Sequence, residues 1–190
     1  RTSRRQRQMC IRDSFMAHVR SSTGTQVSRS NCHPFIIDNW MFLHNGQIGE
    51  FERVKYELQC QLPESLFLKR MGTTDSELIF LLMLHNGLCE QPVEAIRKTI
   101  IDISQMMKSK DIEEPLKASI CISDGEQFWA VRYSSDDDAP TVFIRQEGAN
   151  IALASEPLEK SSGWKAVLPQ SILEINCLLY TSDAADDWFC

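Results

Sequence analysis

No apolar run among the 190 residues is long enough to cross a membrane. The longest, "LIFLLML" at 78–84, has the length of a buried helix segment and falls well short of the ~18 residues a span requires. An excess of positive charge is also missing. Lys and Arg number 20 against 26 Asp and Glu, a net charge of −6, whereas a protein that follows a phosphate backbone carries a basic stripe or patch. The seven cysteines are an odd number and contain no C-x-x-C pair, so they read as reduced thiols in a cytoplasmic setting. His18, His33, His44 and His85 lack H-x-x-x-H spacing, and no metal site or cofactor is expected. The basic start "RTSRRQRQ" leads into no apolar stretch, so it is not a signal peptide. No internal repeat or low-complexity segment is present. What remains is ordinary for a soluble globular protein: 43% hydrophobic and 24% charged residues, in a length that suits one domain.

The two ends differ in texture from the rest. "RTSRRQRQMCIRDS" has neither a helix nor a strand period, and "CLLYTSDAADDWFC" ends on an aromatic cluster with no partner. A DNA string that encodes Met9–Asp13 reads, on the opposite strand and shifted by a frame, as the Cys-Leu-Leu-Tyr-Thr of 177–181. Both ends resemble translated read-through of a transposase sequencing adapter. Residues 1–14 and 177–190 are therefore expected to be non-native, and the domain to occupy 15–176. On this reading Cys10, which follows Met9 and looks like an N-terminal nucleophile, is an accident of adapter DNA.

Within 15–176 the patterns are regular. "FMAHV" (15–19) reads as a short buried strand, and "RSSTGTQVSRSN" (20–31) as a polar loop. "WMFLHNGQIG" (40–49) reads as an apolar strand ending in an Asn-Gly turn signal. Apolar residues at 51, 54, 58 and 62 predict a helix over 50–62. "TTDSELIFLLMLHNG" (73–87) opens on a capping box from Thr74 to Glu77, is apolar nearly all round, and closes on Gly87 as a C′ stop. Pro92 opens a helix over 92–110 with its stripe at 93, 96, 100, 103 and 107. A hairpin follows over 117–134, then strands at 141–145 and 150–156, and a last strand pair within 165–175. "SSDDDAP" (134–140) reads as an acidic, solvated hairpin tip. Strand, strand, helices, then antiparallel strands make the class α+β, and the helices need a sheet whose other face is also covered.

Three polar clusters fall at element ends, where function concentrates. They are Arg20 after the first strand, His44-Asn45-Gly46 at the end of the second, and Asp75 at the start of the apolar helix. Each has a plainer reading: a solvated arginine, a type I′ turn, a helix cap. Together they match one task. Arg offers a rigid fork for a carboxylate, Asp holds an ammonium, and an Asn amide with a Gly N–H forms an oxyanion hole. That set suits an α-amino acid with a reactive side-chain carbonyl, glutamine being the obvious candidate.

The segments "AHVRSSTG", "NCHPF", "FLHNGQIGEF", "GTTDSE" and "ASEPL…W" resemble, in order, the class II glutamine amidotransferases, which are N-terminal-nucleophile hydrolases. The similarity is to the stand-alone amidotransferase-like branch and runs through most of 15–170. It implies an αββα sandwich, incomplete here, with N-terminal strands missing. It implies that Arg20 binds the substrate α-carboxylate with Thr23 nearby, that Asp75 binds the α-amino group, and that Asn45 and Gly46 form the oxyanion hole. The family's nucleophile is a Cys at the mature N-terminus, many tens of residues before the "AHVR" segment, and this chain has none at that place. Cys32, Cys60, Cys89 and Cys121 read as structural thiols.

The expected function is a glutamine-type amide hydrolase: glutamine or a γ-glutamyl amide goes to a glutamate-type product plus ammonia or amine. The substrate is a small molecule, with no nucleic-acid or membrane partner. The alternative is a non-catalytic domain that binds amino acids or γ-glutamyl compounds. A lower third possibility is fusion to an ammonia-consuming synthase. A fragment with one sheet face uncovered is also expected to be poorly stable.

Overall fold

The computed structural model describes residues 16–18, 28–148, 150–159 and 163–176. The segments 1–14 and 177–190, and with them Cys10, lie outside the described residues, as do Arg20 and Thr23.

A single 3₁₀ turn, Arg29–Asn31, precedes β1 (Phe35–Ile37) and β2 (Trp40–Gln47). Four helices follow: α1 (Phe51–Gln59), the one-turn α2 (Glu64–Phe67), α3 (Asp75–His85) and α4 (Pro92–Ser109). The rest is β: β3 (Lys117–Ser123), β4 (Gln127–Ser134), β5 (Phe143–Glu147), β6 (Asn150–Ala154), β7 (Lys165–Ala166) and β8 (Ser171–Asn176). Among the described residues these strands form two antiparallel sheets, ordered β1-β2-β3-β4-β8 and β6-β5-β7. The molecule is α+β.

Side-chain alternation decides what each face of the larger sheet meets. Phe42 on β2, Ala118, Ile120 and Ile122 on β3, and Trp129 and Val131 on β4 pack with Val54, Leu58, Ile96, Ile100 and the apolar run 78–84 of α3 into the main core. α3 lies at its centre, with every residue from Ser76 to Met83 buried, as an all-round apolar helix must be. Its Phe80 ring stacks on Phe42 at 5.0 Å and 10°. The opposite sheet face carries a smaller cluster in which Ala130, Val142 and Val167 meet Ile144, Leu153 and Leu173, so the small sheet covers part of that face. The described layers are thus helices, sheet, small sheet.

α3 ends as its sequence suggests. Asn86 is the C-cap, Gly87 follows at φ +96°, and the N–H groups of Leu88 and Gly87 donate to the carbonyls of Met83 and Leu84, a Schellman motif.

Three sequence expectations change. Met16, Ala17 and His18 are not in a strand; the His18 ring lies 4.4 Å from that of His33, and β2 pairs with β1 on one side and β3 on the other. β1 is only three residues long, too short for an alternation to register. The two strands of 165–175 do not pair with each other. Pro169, which has no N–H for a ladder, and Gln170, at φ +59°, turn the chain from β7 in the small sheet to β8 in the large one. The acidic segment 134–140 is no hairpin tip but the crossing from β4 to β5, where Asp136 and Asp138 both pair with Lys117.

Candidate functional site

The site is assembled where β2 ends and α3 begins. Asn45-Gly46 is not a turn. Both residues lie inside β2 and pair with Ser119 and Ala118 of β3, and the ladder continues to Gln47 opposite Lys117. A type I′ turn needs the flanking residues to pair with each other. Here the partner strand lies some seventy residues on in the chain, and it takes the dipeptide into the sheet. Gly46 has φ +154°, and a Cβ on it would lie 1.9 Å from the Lys117 carbonyl oxygen and 2.8 Å from His44 Nε2. Only glycine fits. Asn45 is exposed, on the face opposite the helices, and among the described residues its amide has no hydrogen-bond partner.

The helix start is built by a different logic. Thr74 caps α3, its hydroxyl accepting from the Glu77 N–H at 3.2 Å. The expected capping box closes only on this side. The buried Glu77 carboxylate turns away from the Thr74 N–H and accepts from the Met71 and Gly72 N–H groups, at 2.8 and 2.7 Å. Those donors belong to a tight loop that would leave them unpaired, and the nearby Arg70 guanidinium, 3.8 Å from Glu77, adds attraction. Burial pushes Arg70 down from its ordinary pKa, and the Glu77 charge opposes that shift. From the other side, buried Asn31 accepts from the Thr73 N–H at 2.9 Å. A Cβ on Gly72 would lie 2.5 Å from Asn31 Oδ1, so the 3₁₀ turn and the loop touch. Residues 70–74 are thereby fixed before the helix starts.

These two pieces meet through Asp75, Ser76 and His44. Asp75 Oδ2 accepts from the backbone N–H of Ile48, just past β2, at 3.0 Å, and Oδ1 accepts from the Ser76 N–H at 2.8 Å. His44, 3% exposed, places Nδ1 2.9 Å from Ser76 Oγ and Nε2 3.2 Å from the Lys117 carbonyl oxygen. Asp75 is half-buried and, among the described residues, pairs with no Lys or Arg. It sits at the positive end of the α3 dipole. The arrangement is a carboxylate held by backbone donors with lone pairs to spare, and, on the strand that leads to one of those donors, an exposed side-chain amide. A carboxylate with free lone pairs can accept from a cation, and an unpartnered side-chain amide can donate to an anion.

Of the residues singled out in the sequence, Asp75 is tied to the chain just past β2 through the Ile48 N–H, while Asn45 and Gly46 lie inside β2, the Asn45 side chain on the sheet face opposite the helices. Sequence reasoning missed Asn31 and Ser76, and named His44 in its cluster without a role. Glu77 was read only as a cap; a buried polar residue in an apolar run was the signal that it had further partners. Among the described residues no group of His, Cys, Asp and Glu can hold a metal ion, and no helix is long and apolar enough to cross a membrane. Cys121 shares a sheet face with Asn45, one diagonal step away across the β2–β3 ladder. Burial pushes its thiol up to about 12, so it stays protonated and inert. Cys32, Cys60 and Cys89 are exposed, Cys32 donating to the Ser28 carbonyl at 3.4 Å.

Helices on one face of an antiparallel sheet, a smaller sheet on the other, and an Asn-Gly sheet end against an acidic helix start define an amidotransferase-like α+β domain. The chain belongs to the family of class II glutamine amidotransferases, whose pattern matches residues 4–147. It is 29% identical over 203 residues to a probable glutamine amidotransferase, DUG3, of Saccharomyces cerevisiae, covering 86% of this chain and 57% of that protein. It is 34% identical over 104 residues to a putative glutamine amidotransferase of Haemophilus influenzae, covering 47% of this chain and 32% of that one. The chain therefore spans about half or less of the curated relatives it matches. A solved glutamine aminotransferase class-II domain protein from Silicibacter pomeroyi superposes with a TM-score of 0.73 at 37% identity, over 78% of this chain and 68% of that one. The glutamine phosphoribosylpyrophosphate amidotransferase of B. subtilis shares the fold, with a TM-score of 0.59 at 18% identity, over 84% of this chain and 32% of that one.

Proposed function

We propose that this domain serves a glutamine amidotransferase-type amide hydrolase, acting on glutamine or a γ-glutamyl amide. The observation that carries this reading is the Asp75 carboxylate. It is half-buried, fixed by the Ile48 and Ser76 N–H groups, without a Lys or Arg partner among the described residues, and linked to the strand that carries Asn45 and Gly46. Such a carboxylate suits a ligand α-ammonium group. Arg20 and Thr23, outside the described residues, are assigned to the α-carboxylate.

In this reading a thiolate from outside the described residues attacks the side-chain amide carbon. The carbonyl oxygen becomes an oxyanion that accepts from the Asn45 amide and the Gly46 N–H. The C–N bond then breaks, and the amine leaves with the proton that the α-amine of the family's N-terminal cysteine, acting as base, took from the thiol. Water hydrolyses the thioester to the glutamate-type product and returns the thiol. None of the four described cysteines is assigned this role.

Calorimetric titration with L-glutamine, paired with an ammonia-release assay, tests the reading. Binding is expected, and Asp75→Asn should weaken it by about 1–3 kcal/mol, the worth of a partly screened charged hydrogen bond to substrate. No binding by the wild type, or unchanged binding by both Asp75→Asn and Asn45→Ala, would overturn it. Binding without ammonia release would favour the second reading, a non-catalytic amino-acid or γ-glutamyl binding domain.

A further inference from the structure

We propose that His44 is a positioning residue of this site: held as its Nε2–H tautomer, it draws the Ser76 hydroxyl proton away from Asp75 and keeps that carboxylate open to a ligand ammonium. The inference deepens the function proposed above and rests on it.

The proton assignment follows from chemistry at each contact. The Lys117 carbonyl oxygen can only accept, so the 3.2 Å contact to His44 Nε2 requires a proton on Nε2. A neutral imidazole then has a bare Nδ1, which must accept. Its neighbour is Ser76 Oγ at 2.9 Å. Ser76 has one hydroxyl proton and a second acceptor within reach, Asp75 Oδ1 at 3.3 Å. The shorter contact and the buried Nδ1 both direct that proton to His44. Asp75 is left with two backbone N–H donors, one on each oxygen.

Two consequences follow. The contact from His44 to Ser76 joins the β2 end to the α3 start, so this imidazole acts with the Asp75–Ile48 hydrogen bond in setting the spacing between the oxyanion donors and the ammonium acceptor. The serine hydroxyl also supplies no hydrogen bond that a ligand ammonium would have to displace. Both effects need the hydroxyl and the ring together, and neither touches the reacting atoms directly.

The test uses the whole chain, labelled with ¹⁵N at histidine. The His44 nitrogens are expected to show a protonated Nε2 and a bare, hydrogen-bonded Nδ1. In Ser76→Ala the Nδ1 resonance should move to the value of a bare nitrogen without a donor, and in Ser76→Thr, which keeps the hydroxyl, it should stay. L-glutamine affinity should fall about 10-fold in Ser76→Ala, the lower end of what an outer-sphere partner is worth, and recover in Ser76→Thr. An Nδ1–H tautomer, or a His44 spectrum unmoved by Ser76→Ala, would overturn the assignment. A moved spectrum with unchanged affinity would overturn the positioning role. If the wild type binds no glutamine, the function falls and the positioning role with it, while the spectra still decide the tautomer.

Discussion

At the scale of the residue, the site depends on positions that admit one side chain. Gly46 is the sharpest. Its missing Cβ is filled by the Lys117 carbonyl, which is also where His44 donates. Gly46→Ala should destabilise the domain by about 3 kcal/mol, read as a lower urea midpoint, because backbone must move to admit the methyl. Gly125→Ala is the control: it has φ +91° but no heavy atom within 4 Å of the new Cβ, and should cost about 1 kcal/mol from strain alone. Glu77 is the second such residue. Glu77→Gln keeps the shape, halves the acceptors for the Met71 and Gly72 N–H groups, and leaves the Arg70 guanidinium buried without its counter-charge. A loss of about 3 kcal/mol in chemical denaturation is expected; a loss under about 1 kcal/mol would show that the loop is held by Asn31 instead.

At the scale of the element, α3 is the piece on which the site is mounted. Its apolar girth buries it between sheet and helices, and that burial fixes where Asp75 points. Phe80→Ala removes a ring stacked on Phe42 and should cost about 3–5 kcal/mol, with L-glutamine affinity falling further than Asp75's own contacts would explain. The helices are also joined by charge. Glu57 on α1 pairs with Lys110 at the end of α4, and that hydrogen bond holds the Glu57 carboxyl below its ordinary pKa. Asp136 is lowered in the same way, first by the Ser134 hydroxyl. A carboxyl whose folded pKa lies below its unfolded one stabilises fully above the unfolded value, and loses that contribution as pH falls through the folded one. Stability should therefore decline on acidification below about pH 4.5. In Glu57→Gln part of that decline should vanish, visible as a smaller midpoint difference between pH 6 and pH 3.

At the scale of the whole molecule, two cores of unequal size imply unequal local stability. The main core unites α1, α3 and α4 with the large sheet, while the small sheet rests on a handful of side chains around Ala130, Val142 and Val167. Arg132 on β4 reinforces that junction by donating to the carbonyls of Pro140, Val167 and Ala139. In Arg132→Met, amide hydrogen exchange should quicken in β5–β7 and stay slow in β2–β4. Equal acceleration in both sheets would mean that the molecule opens as one unit.

Much of this was legible in the amino-acid order because it is local. The period of α4, the cap at Thr74, the stop at Gly87 and the hairpin of β3 with β4 are each decided by neighbours within a few residues. Asp75, Asn45 and Gly46 stood out because polar residues at element ends have few structural reasons to be there. What the order did not disclose was long-range. An Asn-Gly that reads as a turn became strand interior, because a β3 some seventy residues away supplied its hydrogen bonds. Two adjacent strands at 165–175 went to different sheets, because Pro169 and Gln170 turn a corner whose destination depends on the cores. Ser76 and Asn31 carry no local signature, and nothing local in His44 or Glu77 names their partners. A side chain's hydrogen-bond partner is fixed by which surfaces are pressed together, and only the packing of α3 against the sheet decided that these residues would hold the site.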